Sequence, residues 1–483
     1  MKKFLSLLLA MTMIFGTVAL TACTGGGTQG QQGEIPGFKL GDATFDTTKD
    51  VTITFYTSMG NELQDILKGF INPSEEEDGI AQFNELYPNI TVNIVVQSKY
   101  DETRKQIISD LQVGAHPDIA YCYPDHVAMY ERSGKVVTLD QFIDHDTLGL
   151  TDEQKADFIE VFFNEGRGFA PVNGVNWMYT LPFQKSTEVL YYNKTFFEKH
   201  GLEVPKTWND VEELCKKILE IDPDCTPFGY DSESNWFITM CEQLGSGYTT
   251  LDKDNHFVFD NPTNRAFVKR FAEWYANGWA TTEYLNNGTY TSNLFKEQKS
   301  YFGIGSSAGA GYQRPGVVGT DENGDNVYLF DVGIAPIPQE NPSNPKVISQ
   351  GPSLVMLDTG DTQRTIAAWL FMKYLTTTPE LQAAFGNNNG YLPVIKSVNN
   401  LSWFKEKLDN ANGGDNIQYL SMQVCMEMEN YYYTSPAFNG SSTARDSVGT
   451  ILQKAMELYA NGNIDAVIDQ YFREAMEECE MSQ

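Results

Sequence analysis

A chain of 483 residues with 64 acidic side chains against 34 basic ones carries a formal charge of −30. Such a field repels nucleic acid and anionic membrane surfaces and excludes both as principal partners. The ~450 residues beyond the N-terminal segment exceed what one hydrophobic core organises, so at least two lobes are expected.

At the N-terminus Lys2 and Lys3 precede an apolar run, Phe4 to Leu20. A basic start, an apolar core of roughly 17 residues and a small residue before the cut are the parts of a secretory signal. The run ends in Leu20-Thr21-Ala22-Cys23, which resembles a bacterial lipobox. The resemblance implies that residues 1–22 are removed, that Cys23 is acylated, and that the lipid anchors the chain to the outer face of the cytoplasmic membrane. Thr24 to Gly33, almost wholly Gly, Thr and Gln, reads as a flexible tether, and residues 23–50 are assigned to anchor and tether.

From residue 51 the pattern alternates between strand and helix. Val51 to Tyr56 has strand composition and Asn61 to Phe70 reads as helix; Ala81 to Tyr87 is a second helix before Pro88-Asn89, followed by a strand from Ile90 to Val96. A helix from Glu102 to Val113 gives way through Gly114 to Pro117 to a buried strand, Asp118 to Cys122. Repeated units of this kind imply a parallel sheet covered by helices. The same grammar restarts at Val189 to Tyr192, continues through a helix ending near His200-Gly201, and reaches a helix over Val211 to Ile221 that either Thr207 or Asn209 can cap. The fold class is therefore α/β with two lobes.

Beyond Cys23 six cysteines, at 122, 215, 225, 241, 425 and 479, show no CxxC pair. They read mostly as free buried residues, with a Cys215–Cys225 bridge as the one pairing considered. The five histidines include no HExxH, and Asp144-His145-Asp146 reads as a solvated loop, so no metal or other cofactor is expected.

Several motifs carry a resemblance. Phe83-Asn84-Glu85-Leu86-Tyr87-Pro88-Asn89, Gly114-Ala115-His116-Pro117-Asp118-Ile119, Leu190-Tyr191-Tyr192-Asn193-Lys194 with Pro205-Lys206-Thr207-Trp208, then Gly351-Pro352-Ser353-Leu354 and Gly390-Tyr391-Leu392-Pro393 follow in order over some 400 residues. In this order the chain resembles family 1 extracellular solute-binding proteins, the group containing maltose- and glycerol-3-phosphate-binding proteins. The resemblance implies a type II periplasmic-binding-protein fold, with a hinge between two α/β lobes and a solute held in the central cleft. It implies a monomer that hands its solute to the transmembrane subunits of an ABC permease. By similarity, lobe 1 takes residues 51–184 plus 305–357, and lobe 2 takes 185–304 plus 358–483.

Ligands in open α/β sheets bind beyond the carboxyl ends of strands, and that rule with the family pattern gives the candidates. They are Tyr56, Ser58 and Glu62 after the first strand, Tyr100 after the second, and Tyr123 and Asp125 after the third. Ser186 and Thr187 lie at the first expected crossover, Ser306 and Ser307 near the second, and Gln350 and Gly351 before the third; Tyr391 comes from the family pattern. Trp236, in a polar stretch, is the expected platform for stacking on a sugar ring, while Trp274 and Trp279 fall at core spacing.

A sugar is the expected ligand, because its hydroxyls need paired donors and acceptors and its C–H faces stack on aromatic rings. Glycerol-3-phosphate or another organophosphate is the alternative. The glycine-rich Gly303 to Gly309 could cradle a phosphate, although it lacks the GxxxxGK[ST] pattern and reads better as a crossover that bends. Glycerol-3-phosphate binders grip phosphate with a C-terminal arginine. Here Ala437 stands at the expected position and Arg445 is the nearest substitute, which weighs against a dianion. A secreted glycoside hydrolase is the distant alternative: among 64 acidic residues a suitably spaced carboxylate pair arises by chance, and no residue group marks a nucleophile and base.

Overall fold

A computed structural model describes residues 34–72, 82–459 and 462–483. Cys23, the signal segment and residues 24–33 lie outside the described residues, whereas residues 34–50, assigned to the tether, pack on the fold: Leu40 is buried, its amide donates to Gln141 Oε1 at 2.7 Å, and Phe38 stacks on Phe142. Among the described residues no helix is long and apolar enough to cross a membrane.

The chain forms β1 (Val51–Thr57), β2 (Ile90–Val96), β3 (Ile119–Cys122) and β4 (Thr180–Pro182). Then come β5 (Glu188–Asn193), β6 (Phe228–Tyr230), β7 (Ala280–Thr281) and β8 (Phe302–Ser306). β9 (Val317–Thr320) and β10 (Asn326–Tyr328) make an exposed hairpin, followed by β11 (Val332–Ala335), β12 (Val347–Ile348), β13 (Ser353–Met356) and β14 (Tyr432–Tyr433). One five-stranded sheet has the order β2-β1-β3-β13-β4 and the other β11-β5-β8-β6-β7. In the first, β1 pairs parallel to β2 from Val51↔Ile90 to Thr57↔Val96, as the expected βα units require. β13 enters antiparallel between β3 and β4. The alternation of β1, with Val51, Ile53, Phe55 and Thr57 buried, is the period-2 pattern of its sequence.

Local chemistry fixes the helix boundaries. Thr207, not Asn209, caps the helix Trp208–Ile221: its side chain accepts from the Asp210 amide at 3.1 Å, and Asp210 returns the bond. Asn193 caps Lys194–His200, which Gly201 ends in the left-handed conformation. All six cysteines among the described residues are free and buried, Cys215 and Cys225 included.

The sheets divide the chain differently from the expected boundaries. Phe302–Ser306 is no crossover but a central strand of the second sheet, and β11 pairs with β5 in that same sheet. The glycines serve this strand: a Cβ at Gly303 would lie 2.7 Å from the Gly229 carbonyl on neighbouring β6. Conversely, the helix Thr362–Thr377 packs on β1, β13 and β4, and the helix Pro379–Asn389 packs on the helix Asn61–Ile71, so both belong with the first sheet. The second passage between the lobes thus runs near 349–352, and after the helix Pro379–Asn389 the chain touches the first passage at Leu392 before lying against residues 157–159 through Val394, Ile395 and Ser397. Long apolar helices carry no local mark of which sheet they cover, and this is why the sequence misplaced them.

Candidate functional site

A cleft of about 580 Å³ opens between the two sheets. The first lobe supplies strand ends and the helix starts that follow them. Ser58 follows β1, Tyr100 opens the helix Tyr100–Val113 after β2, and Tyr123 stands before the helix Pro124–Glu131 after β3. Helical spacing sets Tyr100 and Arg104 on one face, and both line the cleft. From the second lobe come Tyr248, Tyr290 and the first turns of the helix Ser441–Leu458, with Ser441, Ser442, Arg445 and Asp446. Glu165, Ser349 and Gln350 close the hinge side.

The cleft holds charges of both signs: Lys99, Arg104 and Arg445 with Asp101, Asp125, Glu165 and Asp446. Arg104 crosses between lobes: its guanidinium donates to the Ser442 hydroxyl and lies 3.5 Å from Asp101 and 3.8 Å from Asp446. Arg445 donates to the amide oxygen of Asn235. Burial would lower its pKa, but the Asp125 carboxylate, with Tyr248, Tyr123 and Glu188, outweighs that and raises it. Burial lowers the His126 imidazole despite neighbouring Asp125, and so favours its neutral form. Phenols add amphipathic surface: the Tyr100 and Tyr391 hydroxyls stand 3.3 Å apart, and burial raises the pKa of both. The Ser58 and Ser349 hydroxyl oxygens line the cleft with no hydrogen-bond partner among the described residues.

Of the expected site residues, Ser58, Tyr100, Tyr123, Asp125 and Gln350 line the cleft, and Tyr391 reaches it through Tyr100. Several others stand elsewhere. The Tyr56 hydroxyl donates to Asp110 at 3.0 Å, and Glu62 is exposed on the helix Asn61–Ile71. Ser186 exchanges backbone bonds with Gln350, at 2.8 and 2.9 Å, and the Thr187 hydroxyl donates to the Ile348 carbonyl at 2.6 Å. The Ser306 side chain caps the turn that follows β8, and the fully buried Ser307 hydroxyl accepts from the Thr187 amide at 3.1 Å. Gly351 is a hinge glycine: at φ +89° a Cβ would fall 2.2 Å from the Gln184 carbonyl oxygen, so only glycine lets two crossovers touch.

Trp236 is not a platform. It is 0% exposed and packs against Trp208, Tyr230 and Phe271, with ring centroids 6.1, 5.0 and 4.3 Å away. The stretch read as a polar loop is a helix start, with Ser232 as its cap, and it turns the indole into the core of the second lobe. The expected lack of a cation also gives way. Ala437 is buried with its amide on Gly168, and helical spacing from Ser441 carries Arg445 into the cleft.

The fold and the site find counterparts among known proteins. The chain is 24% identical over 313 residues to the maltotriose-binding protein of Pyrococcus abyssi, a match that covers 64% of this chain and 61% of that protein's length. In architecture it is similar to UgpB from Mycobacterium tuberculosis in complex with glycerophosphocholine, with a TM-score of 0.68, 17% identity, and coverage of 89% of this chain and 99% of that one. The Listeria monocytogenes ABC substrate-binding protein Lmo0181, in complex with cycloalternan, superposes with a TM-score of 0.68 at 16% identity over the same shares. These likenesses establish the two-lobed periplasmic-binding-protein fold. Residues 79–412, well over half of the chain, match the family of bacterial extracellular solute-binding proteins, and the chain belongs to that family.

Proposed function

We propose that this protein is the capture component of an ABC importer, closing its two lobes over a neutral sugar or oligosaccharide and presenting it to a membrane permease without converting it. The observation that carries the sugar reading is the lining of the cleft: phenol rings, unpaired serine hydroxyls, and an Arg104 already paired with Asp101 and Asp446. A polyol finds donors, acceptors and ring faces there and brings no charge of its own. The names of relatives that bind maltotriose and cycloalternan support the same class.

A thermal-shift series with maltotriose, cycloalternan and glycerophosphocholine tests this. A ligand at a hundred times its Kd adds roughly 2.7 kcal/mol to the folded state. A saccharide shift is the expected result, and a shift with glycerophosphocholine alone counts against the reading. A phosphate ester is the second reading, favoured by Arg104, Arg445 and Lys99 in the cleft. It is disfavoured by Asp101, Asp125, Glu165 and Asp446, four carboxylates that line the same cleft and repel a dianion.

With Trp236 in the core, Tyr290 takes over as the stacking surface. It is 55% exposed at the cleft, ahead of the helix Thr291–Lys296, where a ring on a sugar's C–H face would be covered. Tyr290→Ala is expected to weaken saccharide binding about tenfold, or ~1.4 kcal/mol. Wild-type affinity by titration calorimetry would assign the ring to the free surface.

The anchor is part of the same proposal. Cys23, acylated as the lipobox implies, tethers a monomer to the outer face of the cytoplasmic membrane. Cys23→Ser should release the protein into the soluble fraction. A variant that resists a high-salt wash would place the anchor elsewhere.

A further inference from the structure

At the hinge side of the cleft a buried ion pair joins a cleft residue to two passages between the lobes and to the segment at Leu392. Lys185, 0% exposed, lies in the first passage, between β4 and β5. Its ammonium donates to the Gly351 carbonyl of the second passage at 2.9 Å, and its own carbonyl accepts from the Leu392 amide, just past the helix Pro379–Asn389, at 2.7 Å. The remaining strong partner of the ammonium is Glu165 Oε2 at 2.5 Å. Glu165 lines the cleft, and its Oε1 has no hydrogen-bond partner among the described residues. One carboxylate therefore touches both the solute space and the hub on which the lobes turn.

We propose that Glu165 is a ligand-binding residue that couples occupancy of the cleft to the hinge: Oε1 accepts a hydrogen bond from a ligand hydroxyl while Lys185 holds Oε2. The assignment rests on the sugar reading of the same cleft and deepens it. An ionised carboxylate has acceptors only, so this corner takes a donor and repels phosphate oxygens. Lys185 donates to Oε2, which leaves Oε1 as the acceptor on the cleft side. A bond made at Oε1 alters the balance at Oε2, and with it the contacts of Lys185 to the second passage.

The test uses Glu165→Gln and the double variant Glu165→Gln/Lys185→Met. The single variant leaves a buried ammonium without its partner, whereas the double variant leaves no buried charge and is the safer one to fold. Maltotriose and cycloalternan are titrated against each protein, and the radius of gyration is measured by small-angle scattering with and without the saccharide that binds the wild type more tightly. The expected result is at least a tenfold loss of affinity, together with a smaller contraction at saturation than in the wild type. Wild-type affinity in a folded variant overturns the assignment, as does weakened affinity with the full wild-type contraction, or a wild type that binds without contracting. Failure of the wild type to bind either saccharide is a separate result: it overturns the sugar reading itself, and this assignment with it.

Discussion

Trp236→Ala is expected to destabilise the protein by about 3–5 kcal/mol and to leave saccharide affinity of the folded protein unchanged. The size follows from deleting a fully buried indole from a rigid neighbourhood, where the lost burial adds to the cost of the cavity left behind. Trp208, Tyr230, Phe271 and the edge of Phe228, 5.8 Å away at 79°, surround the ring, and four aromatic neighbours cannot collapse far into the vacated space. Urea unfolding measures the loss, and calorimetry on the refolded variant measures the affinity. A tenfold weaker affinity with intact stability would return Trp236 to the ligand.

The second large effect is a dependence of stability on pH from Glu188. This residue opens β5 at 2% exposure; the Tyr230 hydroxyl donates to its Oε2, and the Asn235 amide donates to its Oε1 at 2.7 Å. Burial raises its pKa from 4.5 to about 7, against the lowering pull of those two bonds and of Arg445. A carboxyl whose folded pKa lies above its unfolded value binds its proton more tightly in the fold. Its contribution is complete below pH 4.5 and is lost as pH rises through 7. The loss is on the order of 3 kcal/mol. Asp231, raised to about 6 chiefly by burial, acts in the same direction. Unfolding free energy should therefore fall between pH 5 and pH 8, and Glu188→Gln should flatten that fall and be the more stable protein at pH 8. Parallel profiles for the two proteins would contradict the account.

The strands and helices around β1 and β5 were legible because period-2 runs alternate with amphipathic helices, and because in the second lobe caps such as Thr207 and breaks such as Gly201 mark the helix ends. The strand-end rule then located Ser58, Tyr100, Tyr123 and Asp125, since each follows a strand whose edges the sequence shows. Glu165 and Tyr290 lay beyond its reach: the short helix ending at Glu165 and the loop before Thr291 become cleft walls only through tertiary packing. The first turns of the helix from Ser441 held a readable signal, because positions 441, 442, 445 and 446 share one face, but the rule used for candidates counts strands alone. Trp236 failed for the opposite reason. Polar residues before an aromatic one suggest an exposed ring, yet Ser232 and Glu233 form a helix start that delivers the ring inward.

Capture of a neutral saccharide between the lobes is tested most directly by titration calorimetry of the wild-type protein with maltotriose, cycloalternan and glycerophosphocholine, repeated with Arg445→Ala. The account predicts saturable binding of a saccharide and none of the phosphate ester. Micromolar binding of glycerophosphocholine, abolished by Arg445→Ala and unmatched by either saccharide, would contradict it.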